Sequence, residues 1–456
     1  MKEHMTRRDF AKATGVAAAA AAATGMSVQS SRALGAGEGV GTFRNPPFPP
    51  PPGPEREAWV ESEREKWDAL NAHMTPQFEG QRAYNEHGFA KYRCTVLGSL
   101  HAASLCDPDL PEFQTLFKGN SEDLIDKMRQ GADRDLKDVN PKLWDEMVEE
   151  SEELATIMRQ AGVKVIRNEC ESPLPDGLIN LHAGWGSSRY LSVYCGCSYG
   201  RILRNVYFNT WDQSLTGMCE MHHRQGTLKL FEHNPDLIYY TIPYPEPDIS
   251  VPGIGSLQMD VAGFRLFPNK HILFGIGVTD EKLIPKVLSS EVKEAVGLTS
   301  AGIPQAADFM MRMLKLHGFT HELIFFNANL TYHFDCFMAQ MAEGVVGLPD
   351  LPDYGIWGGK LPRCLKGWDI VRMPVEDVKN GSANQINLGD GRSIVVRTAK
   401  ETMKRMKKAG VEPIPLKFDK IWATWHSGPD CSDGDVWREN DPVKRIPDGP
   451  PPITNT

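Results

Sequence analysis

The chain of 456 residues has no uninterrupted apolar run of the roughly 18 residues that a membrane-spanning helix requires. It also lacks a basic excess. Its 50 Lys and Arg stand against 59 Asp and Glu, a formal charge of −9, which argues against nucleic acid or an anionic membrane surface as partner. No Gly-rich phosphate loop, Gly-x-Ser-x-Gly elbow or His-Glu-x-x-His helix is present, so the motifs of P-loop, α/β-hydrolase and zincin chemistry are missing. Cysteine is sparse, with nine in the whole chain. Cys195-Gly-Cys197 lacks the wider gap of common zinc sites, and with Cys219, His222 and His223 it fits core cysteines and surface histidines better than a metal centre. No metal and no cofactor is therefore expected. An odd number of cysteines leaves one thiol free or pairs it between copies, so a homodimer stays open.

What is present is an ordinary globular composition, 41% hydrophobic and 24% charged, long enough for one large domain or two ordinary ones. The first residues differ. Thr6-Arg7-Arg8-Asp9-Phe10-Ala11-Lys12 precedes a soft apolar run to about Met26 and then small residues, the layout of a secretory signal. The paired arginines resemble a twin-arginine signal, so residues 1–36 are expected to direct export through the twin-arginine machinery to the periplasm or beyond. Residues 37–80 form a Pro-rich linker and a helical arm. The linker carries Pro46-Pro47-Phe48-Pro49-Pro50, and Trp59, Trp67 and Leu70 fall at helical spacing in the arm. Residues 81–440 carry the main domain, and 441–456 a second Pro-rich tail.

Within the main domain helices and strands alternate. Asn140-Pro141 reads as a cap and first turn, with Leu143, Met147, Leu154 and Ile157 on one side, Gly162 as the stop and a strand over 163–167. The same grammar recurs at 398–416, and a further helix is expected over 305–317. This is an α/β pattern. Four segments share a plan of strand, tight turn and second strand: 187–194 with 201–204, 259–267 with 271–276, 333–338 with 344–347, and 383–388 with 393–396. Such recurrence fits a radial array of β-rich units. A run of hairpins in one α/β domain fits it too.

Asp260, His333, Asp335 and Cys431 fall at the starts or tips of these units. A guanidinium group is a planar cation that carboxylates grip edge-on. Its carbon is a poor electrophile, so attack calls for a thiolate and a proton donor for the departing amine. Two aspartates, a histidine and a cysteine make a coherent kit for that chemistry. Taken singly, each aspartate also fits a turn residue held by backbone amides, His333 a core histidine, and Cys431 an inert thiol or half a disulfide. Asp430, next to the cysteine, is an anion that would raise the thiol pKa. Cys336 is expected on the opposite face of a strand from its neighbour Asp335, as packing.

Several stretches carry a resemblance. They are Ala83-Tyr-Asn-Glu86 before Cys94-Thr-Val-Leu-Gly-Ser99, Met259-Asp-Val-Ala-Gly-Phe264, Tyr332-His-Phe-Asp335, and Cys431-x-x-x-Asp435-Val436-x-Arg438. Together, over roughly residues 83–440, the chain resembles the amidinotransferase and guanidine-modifying (pentein) superfamily. The arginine:glycine and arginine:inosamine-phosphate amidinotransferases are its nearest likeness there. The resemblance implies an α/β pentein fold, a five-bladed ββαβ propeller with pseudo-fivefold symmetry. It implies Cys431 as nucleophile, Asp260 as catalytic aspartate, His333 as proton carrier, and Asp335 with Asp176 as substrate-binding carboxylates. The expected reaction moves an amidino group from a guanidino donor to an amine acceptor. A deiminase-like hydrolase and a non-catalytic exported binding protein are the alternatives.

Overall fold

The computed structural model describes residues 52–98, 100, 136–167, 200–209, 229–241, 259, 261–289, 302–331 and 333–440, with the further positions 122, 125, 126 and 129. The expected signal segment 1–36, the tail 441–456, Asp176, Asp260, the first half of the 187–204 repeat and the cluster of Cys195, Cys197, Cys219, His222 and His223 lie outside them.

The described strands form five small sheets. The first combines strands from both ends of the domain: β1 (Tyr84–Asn85), β2 (Tyr92–Leu97), β3 (Lys164–Arg167) and β16 (Asp433–Arg438), in the order β1-β16-β2-β3. The second holds β4 (Arg201–Leu203), β5 (Val206–Asn209) and β6 (Ile238–Thr241), and the third β7 (Phe264–Phe267), β8 (His271–Val278) and β9 (Thr320–Asn327). The fourth holds β10 (Ala339–Ala342), β11 (Val345–Pro349) and β12 (Asp369–Met373), and the fifth β13 (Ile386–Asn387), β14 (Arg392–Val396) and β15 (Glu412–Leu416). In each three-stranded sheet an antiparallel pair is followed by a parallel one. The first sheet repeats this plan with β16 antiparallel to β2 and β2 parallel to β3. A parallel neighbour needs a crossover, and helices supply it in the first, third and fifth sheets. Among the described residues no sheet closes on itself.

Local chemistry explains most of these elements. The arm is one helix, α1 (Pro54–Phe78). In α2 (Pro141–Gln160) the Asn140 side chain accepts from the Leu143 amide at 3.2 Å, while Met147, Leu154, Ala155 and Met158 are buried. Helix α3 (Pro304–Leu314) tightens into a 3-10 turn ending at Gly318, and α4 (Lys400–Lys408) precedes β15. The hairpin between β7 and β8 turns at Asn269 and Lys270, both left-handed with φ of 61° and 56°, the conformation that matches strand twist.

Residues 201–203 pair with β5 because Arg204 takes a left-handed φ of 58° and turns the chain at once; their expected partner 187–194 lies outside the described residues. One repeat assignment changes. Residues 333–338 form turns rather than a strand, their amides being used locally: Cys336 donates to His333 O at 3.2 Å and Met338 to Phe334 O at 2.9 Å. The strand begins only at Ala339.

The last helix, α5 (Asp419–Trp425), has no cap from its own preceding residue. Glu150 on α2, buried, serves instead: its carboxylate accepts from the Lys420 and Ile421 amides at 3.0 Å. The charge sits at the positive end of the helix and satisfies otherwise orphaned donors. Replacing Glu150 by Ala is expected to cost about 1–3 kcal/mol in urea unfolding, the penalty of buried unpaired donors. Glu150→Gln, which keeps an acceptor oxygen, should lose less; equal stability of both variants and the parent would remove α2 as the cap.

Candidate active site

Cys431 lies in the 3-10 turn Asp430–Ser432 that links α5 to β16. Strand β16 sits between β1 and β2, so both its edges are paired and the turn before it has little freedom. The approach runs through His426, left-handed at φ 51°, and Gly428. A Cβ at residue 428 would stand 2.3 Å from Asn384 Oδ1, so glycine is what lets Asn384 reach the turn.

Asn384 is the residue that organises the turn. Its Oδ1 accepts from the Asp430 amide at 2.7 Å and the Cys431 amide at 3.3 Å. Its Nδ2 donates to Cys431 Sγ at 3.2 Å and to Cys336 Sγ at 3.3 Å. Asp335, with a fully buried side chain, places Oδ2 3.4 Å from Cys431 Sγ, and its Oδ1 has no hydrogen-bond partner. The backbone amide of Asp335 donates to Ala262 O at 3.2 Å, which ties its loop to the Val261–Gly263 turn. His333, half-buried, is near enough to the Cys431 sulfur to help pull its thiol pKa down.

Of the residues singled out from sequence, His333, Asp335 and Cys431 therefore meet. Asp260 and Asp176 are not among the described residues. Cys336 is not packing on a far face: because 333–338 is a run of turns, its sulfur comes back to the Cys431 sulfur. Asn384 was missed, although it stands at the start of one repeated unit as His333 does at another. Arg265 was missed as well; an arginine inside the apolar run Phe264-Arg-Leu-Phe267 was its signal.

Arg265 also answers the concern over Asp430. Its side chain is only 3% exposed, and Nη2 lies 2.6 Å from Asp430 Oδ2 and 4.0 Å from Asp335 Oδ2. Burial pushes the Asp430 carboxyl up, while the Arg265 guanidinium, and Arg201 further off, pull against that. The Cys431 thiol is lowered despite two acidic neighbours, chiefly by its hydrogen bond with Cys336 and also by His333, against burial and Asp335. Cys336 is raised well above its ordinary value by the same hydrogen bond and by burial. Of the two thiols, Cys431 is the one that gives up its proton more readily.

The ligand atoms of Asp335, Cys336 and Cys431 lie within 4.8 Å of one another, close enough for a metal by distance. The Asn384 amide N–H group already occupies both sulfurs, which disfavours their use as metal ligands. A second grouping, His271, Glu322 and Cys364, is structural: Glu322 oxygens accept from the Arg363 amide and Nε at 3.0 Å and the Cys364 amide at 2.8 Å.

Comparison with known proteins was made at three levels. No protein-family model matches the chain, and no curated protein does. Solved structures do. SxtG, an amidinotransferase from Microseira wollei in the saxitoxin biosynthetic pathway, superposes with a TM-score of 0.55 at 15% identity, over 79% of this chain and 98% of that one. The inosamine-phosphate amidinotransferase from Streptomyces griseus does so with a TM-score of 0.55 at 14% identity, over the same 79% and 98%. The likeness is one of fold. It agrees with the resemblance drawn from the motifs, which named amidinotransferases as nearest.

Below the turn, Asp433 accepts from Tyr92 Oη at 2.6 Å and from Thr95 Oγ1, and its Oδ2 is buried without a partner. Burial and the nearby Asp435 push its carboxyl up to about 8. The unfolded chain gives up that proton near 3.8, so between these values it binds fewer protons than the folded state, and stability falls as pH rises through the window. Asp433→Asn is expected to flatten that decline, read as denaturation midpoints at the two ends of the window; an unchanged slope would assign the titration elsewhere. Removing one member of the Arg265–Asp430 pair, as Asp430→Ala, is expected to cost about 3–5 kcal/mol by stranding a buried charge. The double variant Arg265→Met, Asp430→Leu should recover most of that loss in the same unfolding measurement.

Proposed function

We propose that the protein modifies guanidino compounds, moving an amidino group from a guanidino donor to an amine acceptor through a covalent amidino-cysteine. The observation that carries this reading is Asp335: one oxygen lies on the Cys431 sulfur and the other is buried with no partner. The open Asp335 oxygen calls for a ligand with N–H donors, and a guanidinium is one.

The donor's N–H groups bind Asp335 edge-on, which sets the central carbon beside Cys431. The thiolate attacks that carbon. As the tetrahedral adduct collapses, His333 gives its proton to the departing amine, and the amidino group remains on sulfur. The acceptor amine then attacks, its proton passes to His333, and the Cys431 thiolate leaves. Water in place of the amine would make the enzyme a hydrolase. Asp260 is assigned as the second catalytic carboxylate and Asp176 as a further substrate-binding one. In support, the Val261–Gly263 turn that follows Asp260 in sequence is hydrogen-bonded to Asp335. The repetition of one strand plan in five sheets supports an arrangement of blades around a common centre. The paired arginines near the N-terminus support export by the twin-arginine route.

Incubation with a panel of guanidino compounds, with and without amines, followed by mass spectrometry of the Cys431 peptide, tests the reading. An amidino adduct that amines discharge into product is expected; discharge by water alone would make it a hydrolase, and tight binding with no adduct a binding protein. Cys431→Ala should abolish the adduct, and His333→Ala should slow its formation by about 10²–10⁴-fold, the range for a lost general acid. No adduct, product or binding across the panel would overturn the proposal.

A further inference from the structure

The chemistry above leaves Cys336 with no bond to make or break, yet it shares a hydrogen-bond donor with the nucleophile. Asn384 Nδ2 reaches both sulfurs, at 3.3 and 3.2 Å, and the two sulfurs lie within 4.8 Å of each other. Both side chains are buried, and both residues are free thiols. Neither is held in a sheet ladder: Cys336 lies in the turns of 333–338 and Cys431 in a 3-10 turn. An S–S bond is about 2 Å long, so disulfide closure requires the two sulfurs to approach further than this arrangement holds them. A second thiol beside a reactive one is also the arrangement by which redox-sensing cysteines are rescued from over-oxidation.

We propose that Cys336 is a resolving cysteine, and that hydroperoxides convert the Cys336–Cys431 pair into a reversible disulfide. The Cys431 thiolate attacks the peroxide oxygen and the O–O bond breaks. The departing oxygen leaves as water or an alcohol after taking a proton, and Cys431 becomes a sulfenic acid. Cys336 then loses its proton, attacks the sulfenic sulfur and expels hydroxide, which takes that proton and leaves as water. Two thiols have been oxidised and one hydroperoxide reduced. A thiol reductant reverses the closure. The disulfide ties up the sulfur assigned as nucleophile, so in this form the protein carries out no amidino chemistry. That consequence rests on the function proposed above; formation of the disulfide does not.

The test treats reduced full-length protein with hydrogen peroxide, blocks remaining thiols by alkylation, and maps peptides by mass with and without reduction. The expected product is a Cys336–Cys431 linked peptide that reduction releases. In Cys336→Ala the linked peptide is absent, and the share of Cys431 found as irreversible sulfinic or sulfonic acid rises several-fold. Cys336→Ser, closer in size and polarity, provides the same comparison should the alanine variant fold poorly. Absence of the linked peptide from the wild type overturns the proposal, as does a disulfide from Cys431 to any other cysteine. Equal irreversible oxidation in wild type and variants overturns it too. Failure of reduced wild type to form an amidino adduct would instead sink the enzymatic reading and leave the linked-peptide result standing.

Discussion

The site depends on the pairing of β16 with the strands at the other end of the domain. With β1 on one side and β2 on the other, β16 is an internal strand, its Asp433 opposite Leu97 and its Asp435 opposite Thr95. The turn holding Cys431 leads straight into it, so the position of the sulfur is set by hydrogen bonds to residues more than three hundred positions away in the sequence. Closing so long a loop costs entropy only logarithmically in its length, and the buried strand recovers that cost through its own hydrogen bonds and side chains. The segment around β1 extends the effect. Asn85 and Arg204 exchange backbone hydrogen bonds, the Gly88 amide donates to Leu266 O, and the Tyr92 amide donates to Leu388 O, so one stretch is tied to the second, third and fifth sheets.

Charge is arranged around that strand in compensating groups. Arg438 is buried against Asp435 at 2.9 Å, with its guanidinium over the Tyr92 ring, and Arg265 is buried against Asp430. Each cation holds a carboxylate that would otherwise add its repulsion to the thiolate. Asp433 takes the other course and stays protonated over much of the neutral range. Asp335 has only the more distant share of Arg265, at 4.0 Å, and is the one acid whose oxygen touches the sulfur and whose second oxygen has no hydrogen-bond partner. In a low-dielectric interior such a group is costly until a donor reaches it, and that is the physical basis for expecting a cation to bind beside Cys431.

Much of the fold was legible from local signals. Asn140-Pro141 and Gly162 marked helix limits because caps and left-handed stops depend on a few adjacent residues. Asn269-Lys270 marked a hairpin for the same reason. The repeat was legible in outline, but it failed at 333–338, where local amide bonds outweighed β-like composition. Three of the five site residues inferred from sequence are described, and they meet. Cys336 was misplaced because period-two reasoning applies only to a strand. Asn384 and Arg265 were missed because a side-chain amide in a polar stretch and a buried arginine in an apolar one acquire meaning only from what they face.

By itself the sequence determined which residues carry nucleophilic, acidic and proton-carrying side chains, the α/β alternation, and the order of the motifs, since these follow from residue type and near-neighbour spacing. Tertiary structure decided the rest: that β16 enters the first sheet, that Asn384 holds two sulfurs at once, and that Arg265 takes the charge of Asp430. It also placed Cys336 beside Cys431 instead of behind a strand. Each of those outcomes is a contact between residues far apart in sequence, and no local propensity encodes which distant partner a buried polar group will find.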